Sequence, residues 1–214
     1  MKFLHPYHIF KRVSAFANIC GLDDIKDVVK RALDSDENYN LLFTGPPASA
    51  KTLFLLGILE CEKGIYFDGS NSTNKILDVL EDQRPKIICI NEIDKMCKAF
   101  QNKLLNFMES GRVKVDQKKT VPMIKGAKVF ATSNDINRLS KPLQSRFRRL
   151  NLPPYTQDQF LEAAVRVCPK LKEDTAKMIG AAVYGKGDIR DVISISKLIR
   201  KNDGVLEVQT ITAR

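Results

Sequence analysis

The sequence contains no apolar run approaching the roughly 20 residues that a membrane-spanning helix requires, so no helical membrane span is expected. The start, MKFLHPYHIFKR, lacks the long apolar segment of a signal peptide. The five cysteines, at positions 20, 61, 89, 97 and 168, are odd in number and scattered, and no pair has metal-ligand spacing. They read as reduced thiols, which makes a cytoplasmic setting the expected one. No internal repeat or low-complexity segment occurs. What is there is a chain of 214 residues, 43% apolar and 28% charged, long enough for one domain or a core with a small lid.

The net charge of +10 is unevenly placed. Residues 1–97 carry 12 basic and 14 acidic groups, residues 98–149 carry 13 and 3, and residues 150–214 carry 10 and 8. One quarter of the chain therefore supplies the whole excess. Such asymmetry suggests an acidic partner, of which nucleic acid is the commonest. A solvated basic face, or a subunit interface against an acidic neighbour, fits the same distribution.

The stretch LLFTGPPASAKTLFLL organises the rest. Leu41-Leu42-Phe43 is a short continuous apolar run, as in a buried strand, and a helical pattern starts directly after Thr52. Between them, Gly45, Pro46, Pro47, Ala48, Ser49 and Ala50 make a tight loop closed by Lys51-Thr52-Leu53. A strand, a loop and a helix closed by Lys-Thr form a phosphate-binding loop. Backbone N–H groups at the helix start and the helix dipole hold phosphates. Lys51 would reach the outer phosphates, and the Thr52 hydroxyl would bind Mg²⁺. The pattern wants glycine at 50, where this chain has Ala50, so a slightly reshaped loop is expected. An ordinary strand-to-helix turn is the alternative.

Four further strands are expected, at IYFD (65–68), at Ile87–Ile90, at Ala127–Ala131 and at Phe147–Leu152. Helices are expected after a cap at Asp23 or Asp24, around Ile76–Leu80, over 95–109, after a Thr156–Gln159 capping box, and over about 173–184 and 188–201. Alternation of valines with polar residues predicts a hairpin in Val113–Met123, with Arg112, Lys114, Lys118, Lys119 and Lys125 in or near it. Pro153-Pro154 marks a boundary, giving an α/β core over 1–153 and a small all-helical segment over 154–214.

Several polar residues fall where open α/β sheets bind ligands, at the carboxyl ends of strands. Glu92 ends a strand expected beside the Leu41–Phe43 strand. Its carboxylate could polarise or orient a water for attack on a γ-phosphate. Asn91 precedes it and offers one neutral oxygen, so weaker Mg²⁺ binding and slower turnover are expected. Asn134 ends the next strand and could position the water, although Ser-Asn-Asp is also ordinary turn chemistry. Arg146 lies just before the last strand. It is either an arginine finger for a neighbouring subunit or part of a basic cluster with Arg148 and Arg149. Arg190 sits in the first turn of the last helix, where a cation is mildly unfavourable and a bound phosphate would compensate.

In this order the segments resemble the AAA+ ATPases from about Phe16 to Lys201. FANICGL (Phe16–Leu22) is similar to the segment packing near adenine, which makes Ile19 and Gly21 nucleotide contacts by resemblance. GPPASAKT resembles Walker A, IICINEID Walker B, ATSND sensor 1, PLQSRF the arginine-finger box and GDIRD sensor 2. Within that superfamily the chain most resembles small archaeal ATPases similar to the Holliday-junction branch-migration motor. The resemblance implies an α/β P-loop NTPase fold, with a parallel five-stranded sheet flanked by helices and followed by a helical lid. It also implies ATP and Mg²⁺ as cofactors, with Thr52 and Asn91 at the metal. Self-association into a ring or helical oligomer is expected, with a hexamer the natural ring. DNA or a DNA-bound protein is the implied partner, met through the basic 98–149 segment, and no membrane.

Three departures qualify it. Asn91 stands where the family has aspartate. Only about a dozen residues follow the last expected helix, so the motor's winged-helix domain is not expected. The Gly69–Thr73 loop carries no aromatic residue, so polypeptide threading is not expected either. An ATP-gated assembly module with little turnover is the main alternative. A monomeric P-loop kinase fits less well, because nothing suggests a phosphoryl-acceptor pocket.

Overall fold

The most apolar runs of the chain become the central strands of a parallel sheet. The computed structural model describes residues 15–47, 49–71, 83, 85–110, 113–116, 119–121 and 126–199. Within them, the strands are β1 (Tyr39–Thr44), β2 (Gly64–Asp68), β3 (Ile87–Asn91), β4 (Val113–Asp116), β5 (Lys119–Val121), β6 (Lys128–Ser133) and β7 (Arg148–Asn151). The helices are α1 (Asp23–Asp34), α2 (Lys51–Cys61), α3 (Lys98–Ser110), α4 (Lys141–Ser145), α5 (Gln157–Val167), α6 (Glu173–Val183) and α7 (Ile189–Leu198). The expected helix around Ile76–Leu80 lies outside the described residues, as do residues 1–14, Ala48, Arg112, Lys118, Lys125 and the segment 200–214.

The sheet runs β2-β3-β6-β1-β7, with every neighbouring pair parallel. Its order corrects one expectation. The strand ending at Asn91-Glu92 does not lie beside β1, because β6 pairs with both β1 and β3 and separates them. Continuous apolar runs mark β1, β3 and β6 alike as buried on both faces, and such runs carry no information about which strand neighbours which.

Alternate residues of the central strands feed two cores. On one face Leu41, Phe43, Ile87, Cys89 and Phe130 pack with Val29 and Leu33 of α1 and with Phe54, Leu55 and Ile58 of α2. On the other, Leu42, Ile88, Ile90, Val129 and Ala131 pack with Phe100, Leu104 and Phe107 of α3 and Leu143 of α4. Phe43 and Phe54 stack with ring centroids 5.1 Å apart, and Phe16 lies 5.9 Å beyond Phe54. This row ties the segment before α1 to the sheet through α2.

Helix ends follow local chemistry, with one correction. Neither Asp23 nor Asp24 caps α1. Leu22 takes the cap position in a left-handed conformation, and both aspartates sit in the first turn, where they favour the helix dipole instead. The capping box at α5 is as expected: Thr156 Oγ1 accepts from Gln159 N (3.3 Å), and Thr156 N donates to Gln159 Oε1 (3.0 Å). The last three helices pack on one another through Phe160, Ala163, Ala176, Ile179 and Val192, and these side chains join the first core. Tyr155 links them to the amino-terminal side, its hydroxyl accepting from Cys20 N at 3.2 Å. Strands β4 and β5 form an antiparallel pair with Val113 opposite Val121 and Lys114 opposite Thr120, so the expected hairpin is present.

Candidate functional site

Strands of a parallel sheet end on the same side, so β1, β3 and β6 deliver their last residues to one cleft. It is lined by Pro47, Ser49, Ala50, Lys51, Thr52 and Leu53 after β1, by Asn91 and Glu92 after β3, and by Thr132 and Asn134 at β6. Tyr155, Asp188, Ile189 and Arg190 close it from the carboxyl-terminal helices. Helix α2 starts at the end of β1, crosses β6 and packs on β3. That crossing brings Thr52 to Asn91 although their strands are not neighbours.

Ala50 stands at the position where the pattern wants glycine, and its φ is positive. This residue itself takes the left-handed conformation (φ 62°, ψ 4°) and caps α2 while only 7% exposed. A left-handed alanine costs about 1–2 kcal/mol relative to the right-handed form. Lys51, also 7% exposed, turns back over the loop. Its ammonium donates to Gly45 O (2.9 Å), Pro46 O (2.6 Å) and Ser49 Oγ (3.1 Å). Burial pushes the Lys51 pKa down to about 8, against the pull of the Asp94 and Glu92 carboxylates, while Arg190 adds to the lowering.

Asn91 is 3% exposed, and both ends of its amide are hydrogen-bonded. Its Oδ1 accepts from Thr52 Oγ1 (3.2 Å) and Thr132 Oγ1 (3.0 Å), and its Nδ2 donates to Asp68 Oδ2 (2.9 Å). Glu92 follows in a left-handed conformation (φ 50°, ψ 52°), the kind of backbone strain that collects at functional sites. Its N–H donates to Thr132 Oγ1 (2.8 Å), and its carboxylate pairs with Lys95 at 2.6 Å and accepts from Asn134 Nδ2 at 3.4 Å. Asn134 N donates to Asp94 Oδ1 at 3.2 Å, so the ends of β3 and β6 are laced together.

Arg190 meets the cleft, but its compensation comes from within the chain. Asp188 caps α7, accepting from Arg190 N at 2.7 Å, and grips the guanidinium at Nε (2.9 Å) and Nη2 (2.6 Å). That pairing holds the Arg190 pKa above its usual value, burial working the other way.

Arg146 does not join this cleft. It follows α4 at the start of β7, the opposite end of the strands from Asn91 and Asn134, and it is exposed. Nor do Ile19 and Gly21 line it. Ile19 is buried in the first core, and Gly21 lies beside the Gln159 side chain. Lys114 and Lys119 fall on β4 and β5, away from the cleft in sequence and topology. Asp68, Thr132, Tyr155 and Asp188 are the contributors that motif reading passed over. A carboxylate at the end of β2, where the chain reads IYFD, was the available signal for Asp68.

The oxygen donors suit a hard cation carried by phosphates. Among the described residues no group of three or more His, Cys, Asp or Glu side chains could hold a metal. Thr52 Oγ1 and Asn91 Oδ1 instead offer two oxygens side by side, as fits Mg²⁺, which keeps most of its shell as water and phosphate oxygen. Among those residues, too, no helix is long and apolar enough to cross a membrane.

Residues 41–155 match the family described as "ATPase family associated with various cellular activities (AAA)". Replication factor C subunit 3 of Schizosaccharomyces pombe is 26% identical over 210 residues, covering 86% of this chain and 56% of that protein. Replication factor C subunit 4 of Homo sapiens is 24% identical over 216 residues, covering 87% and 56%. The chain thus spans about half the length of the curated relatives it matches. A solved structure of the Thermotoga maritima RuvB Holliday junction branch migration motor superposes with a TM-score of 0.63 at 20% identity. It covers 91% of this chain and 69% of that one, a likeness of fold.

Proposed function

The chain belongs to the ATPase family associated with various cellular activities, and from that premise we propose that it is an oligomeric, Mg²⁺-dependent ATPase acting on DNA or a DNA-bound complex. The observation that carries this reading is the convergence of Lys51, Thr52, Asn91, Glu92, Asn134 and Arg190 on one cleft. In this reading Gly45 to Leu53 wrap the phosphates with backbone N–H groups and the α2 dipole. Lys51 leaves the loop carbonyls for the outer phosphates. Thr52 and Asn91 hold Mg²⁺, which when bound neutralises charge on the β- and γ-phosphates. Glu92 accepts the proton of the attacking water, and Asn134, already within reach of that carboxylate, aligns the water. Arg190 reads the phosphates from helices that act as a lid over 154–214, and moves with them when phosphate is lost.

Arg146, exposed at the far end of β7, serves a neighbouring subunit's site in the same reading. The basic 98–149 segment meets the DNA or its bound protein. The replication factor C subunits are relatives, and the RuvB motor is a neighbour in fold, and their names point to DNA. A second reading, an ATP-gated assembly module with little turnover, is favoured by one observation. Glu92 is tied to Lys95 and Asn134, which would have to release it for catalysis.

ATP turnover with Mg²⁺, measured across protein concentrations, tests both. Turnover that rises with concentration and is lost in Lys51→Ala and in Arg146→Ala is the expected result. Tight ATP binding without turnover favours the gated module, and no nucleotide binding sinks both.

A further inference from the structure

The amide of Asn91 has two chemically different ends, and its surroundings leave no doubt which end points where. A carboxylate only accepts hydrogen bonds, so the group 2.9 Å from Asp68 Oδ2 is the Asn91 NH₂. Oδ1 therefore faces the Thr52 and Thr132 hydroxyls, both of which can donate to it. Thr132 also accepts from Glu92 N, which commits its own proton to Asn91. The oxygen is aimed at the metal side of the cleft and the NH₂ away from it.

Asp68 is built for this task. It is the last residue of β2 and pairs in register with Asn91, the last residue of β3. Its other oxygen is held by Ser70 N (2.9 Å) and Ser70 Oγ (2.5 Å), which fixes the carboxylate plane. Asn91 by itself brings no charge to the metal side. One strand further out, the partner of its amide is an anion.

We propose that the carboxylate of the metal site has been transposed from β3 to β2. Asp68 acts as a positioning residue: it locks the Asn91 amide with its oxygen toward Thr52, polarises that oxygen through the NH₂, and supplies the site's negative charge from the next strand. The inference rests on the reading of this cleft as a site for nucleotide with Mg²⁺. It also changes what the obvious reversion should do. Asn91→Asp alone sets two carboxylates against each other across the β2–β3 pair. Only the exchanged pair, Asp68→Asn with Asn91→Asp, keeps both the charge and the hydrogen bond.

The experiment measures binding of a fluorescent ATP analogue with Mg²⁺ and with EDTA, together with thermal midpoints, for the wild type, both single variants and the double variant. Metal-free affinity reports the nucleotide cleft, and the ratio of affinity with Mg²⁺ to metal-free affinity reports the metal side. Asp68→Asn should lower that ratio about tenfold, as loss of a partner that orients a metal ligand does, with metal-free affinity unchanged. Asn91→Asp should lower the metal-free thermal midpoint by about 4 °C or more, and the double variant should recover both readouts. A merely structural Asp68 would move the midpoint and leave the ratio alone. A wild-type ratio in Asp68→Asn, or a double variant no better than Asp68→Asn, overturns the transposition while the cleft reading stands. Failure of the wild type to bind nucleotide under either condition overturns the cleft reading and this inference with it.

Discussion

Gly69 lies directly against the strained turn that carries Glu92, and adding one methyl group there should disable catalysis while sparing nucleotide binding. A Cβ built on Gly69 would sit 2.2 Å from Glu92 O and 2.9 Å from its carbonyl carbon. Ordinary contact begins near 3.4 Å, so the two backbones must part by about 1.2 Å. Both atoms belong to the backbone, not to a flexible side chain. Forcing a methyl into such packing costs about 1–3 kcal/mol. For a chain of this size that lowers the thermal midpoint by about 4–8 °C at the middle of the range. The catalytic effect is larger. A displacement of about 1 Å at a group that must meet a water costs on the order of 100-fold in rate. Lys51 and Thr52 stand on a different element, so the metal-free affinity for ATP should change less than about threefold. The assay is steady-state turnover of Gly69→Ala at saturating MgATP, with metal-free nucleotide binding and a melting curve alongside. Turnover within threefold of wild type and an unshifted midpoint would refute the argument, because the carbonyl of Glu92 would then have room that the structure denies it.

Lys51 has a folded pKa of about 8 against 10.5 when free, so between those values the unfolded chain binds more protons. Stability should therefore rise as pH increases from about 8 to 10.5, by on the order of 3 kcal/mol, with the burial cost fully present at pH 7. Urea denaturation at pH 7.5 to 10 should show that rise in the wild type and not in Lys51→Met, and parallel curves would count against a buried ammonium. Thr156→Ala should cost about 1 kcal/mol by removing the α5 cap, read as a lower urea midpoint at constant slope. If the basic segment meets DNA through its hairpin, binding should weaken steeply with salt, and neutralising Lys118 and Lys119 should flatten the slope by about 2. An unchanged slope would move the contact elsewhere.

The parts of this protein legible in its sequence are those written in consecutive residues. Ile87 to Ile90 and Leu41 to Phe43 announce buried strands because every residue in them is apolar. Lys51-Thr52 after a glycine-proline loop announces a phosphate site because its spacing is set by one turn of helix. Sheet order was not legible, since β6 slots between β1 and β3 by crossover geometry that no single strand encodes. The aspartates of α1 were misplaced by one turn position because carboxylates favour both the cap and the first turn. The Asp68–Asn91 bond joins residues 23 apart in sequence through strand register, and its meaning appears only when β2 and β3 are side by side. Arg190 read as a cation in need of an anion, and the anion proved to be Asp188, two residues away.

Between Glu92 and Asn134 the chain makes a single excursion. It leaves the cleft along α3, turns through the β4–β5 hairpin, and returns along β6 to within hydrogen-bond reach of where it departed. Helix and strand are the stiffest spans a backbone offers, and β6 alone is a rod about 20 Å long. The ends of this excursion are the two residues that the proposed function sets beside the attacking water. If the hairpin meets a partner, as the proposed function has it, α3 and β6 are the two spans of backbone that lead from that contact back to Glu92 and Asn134.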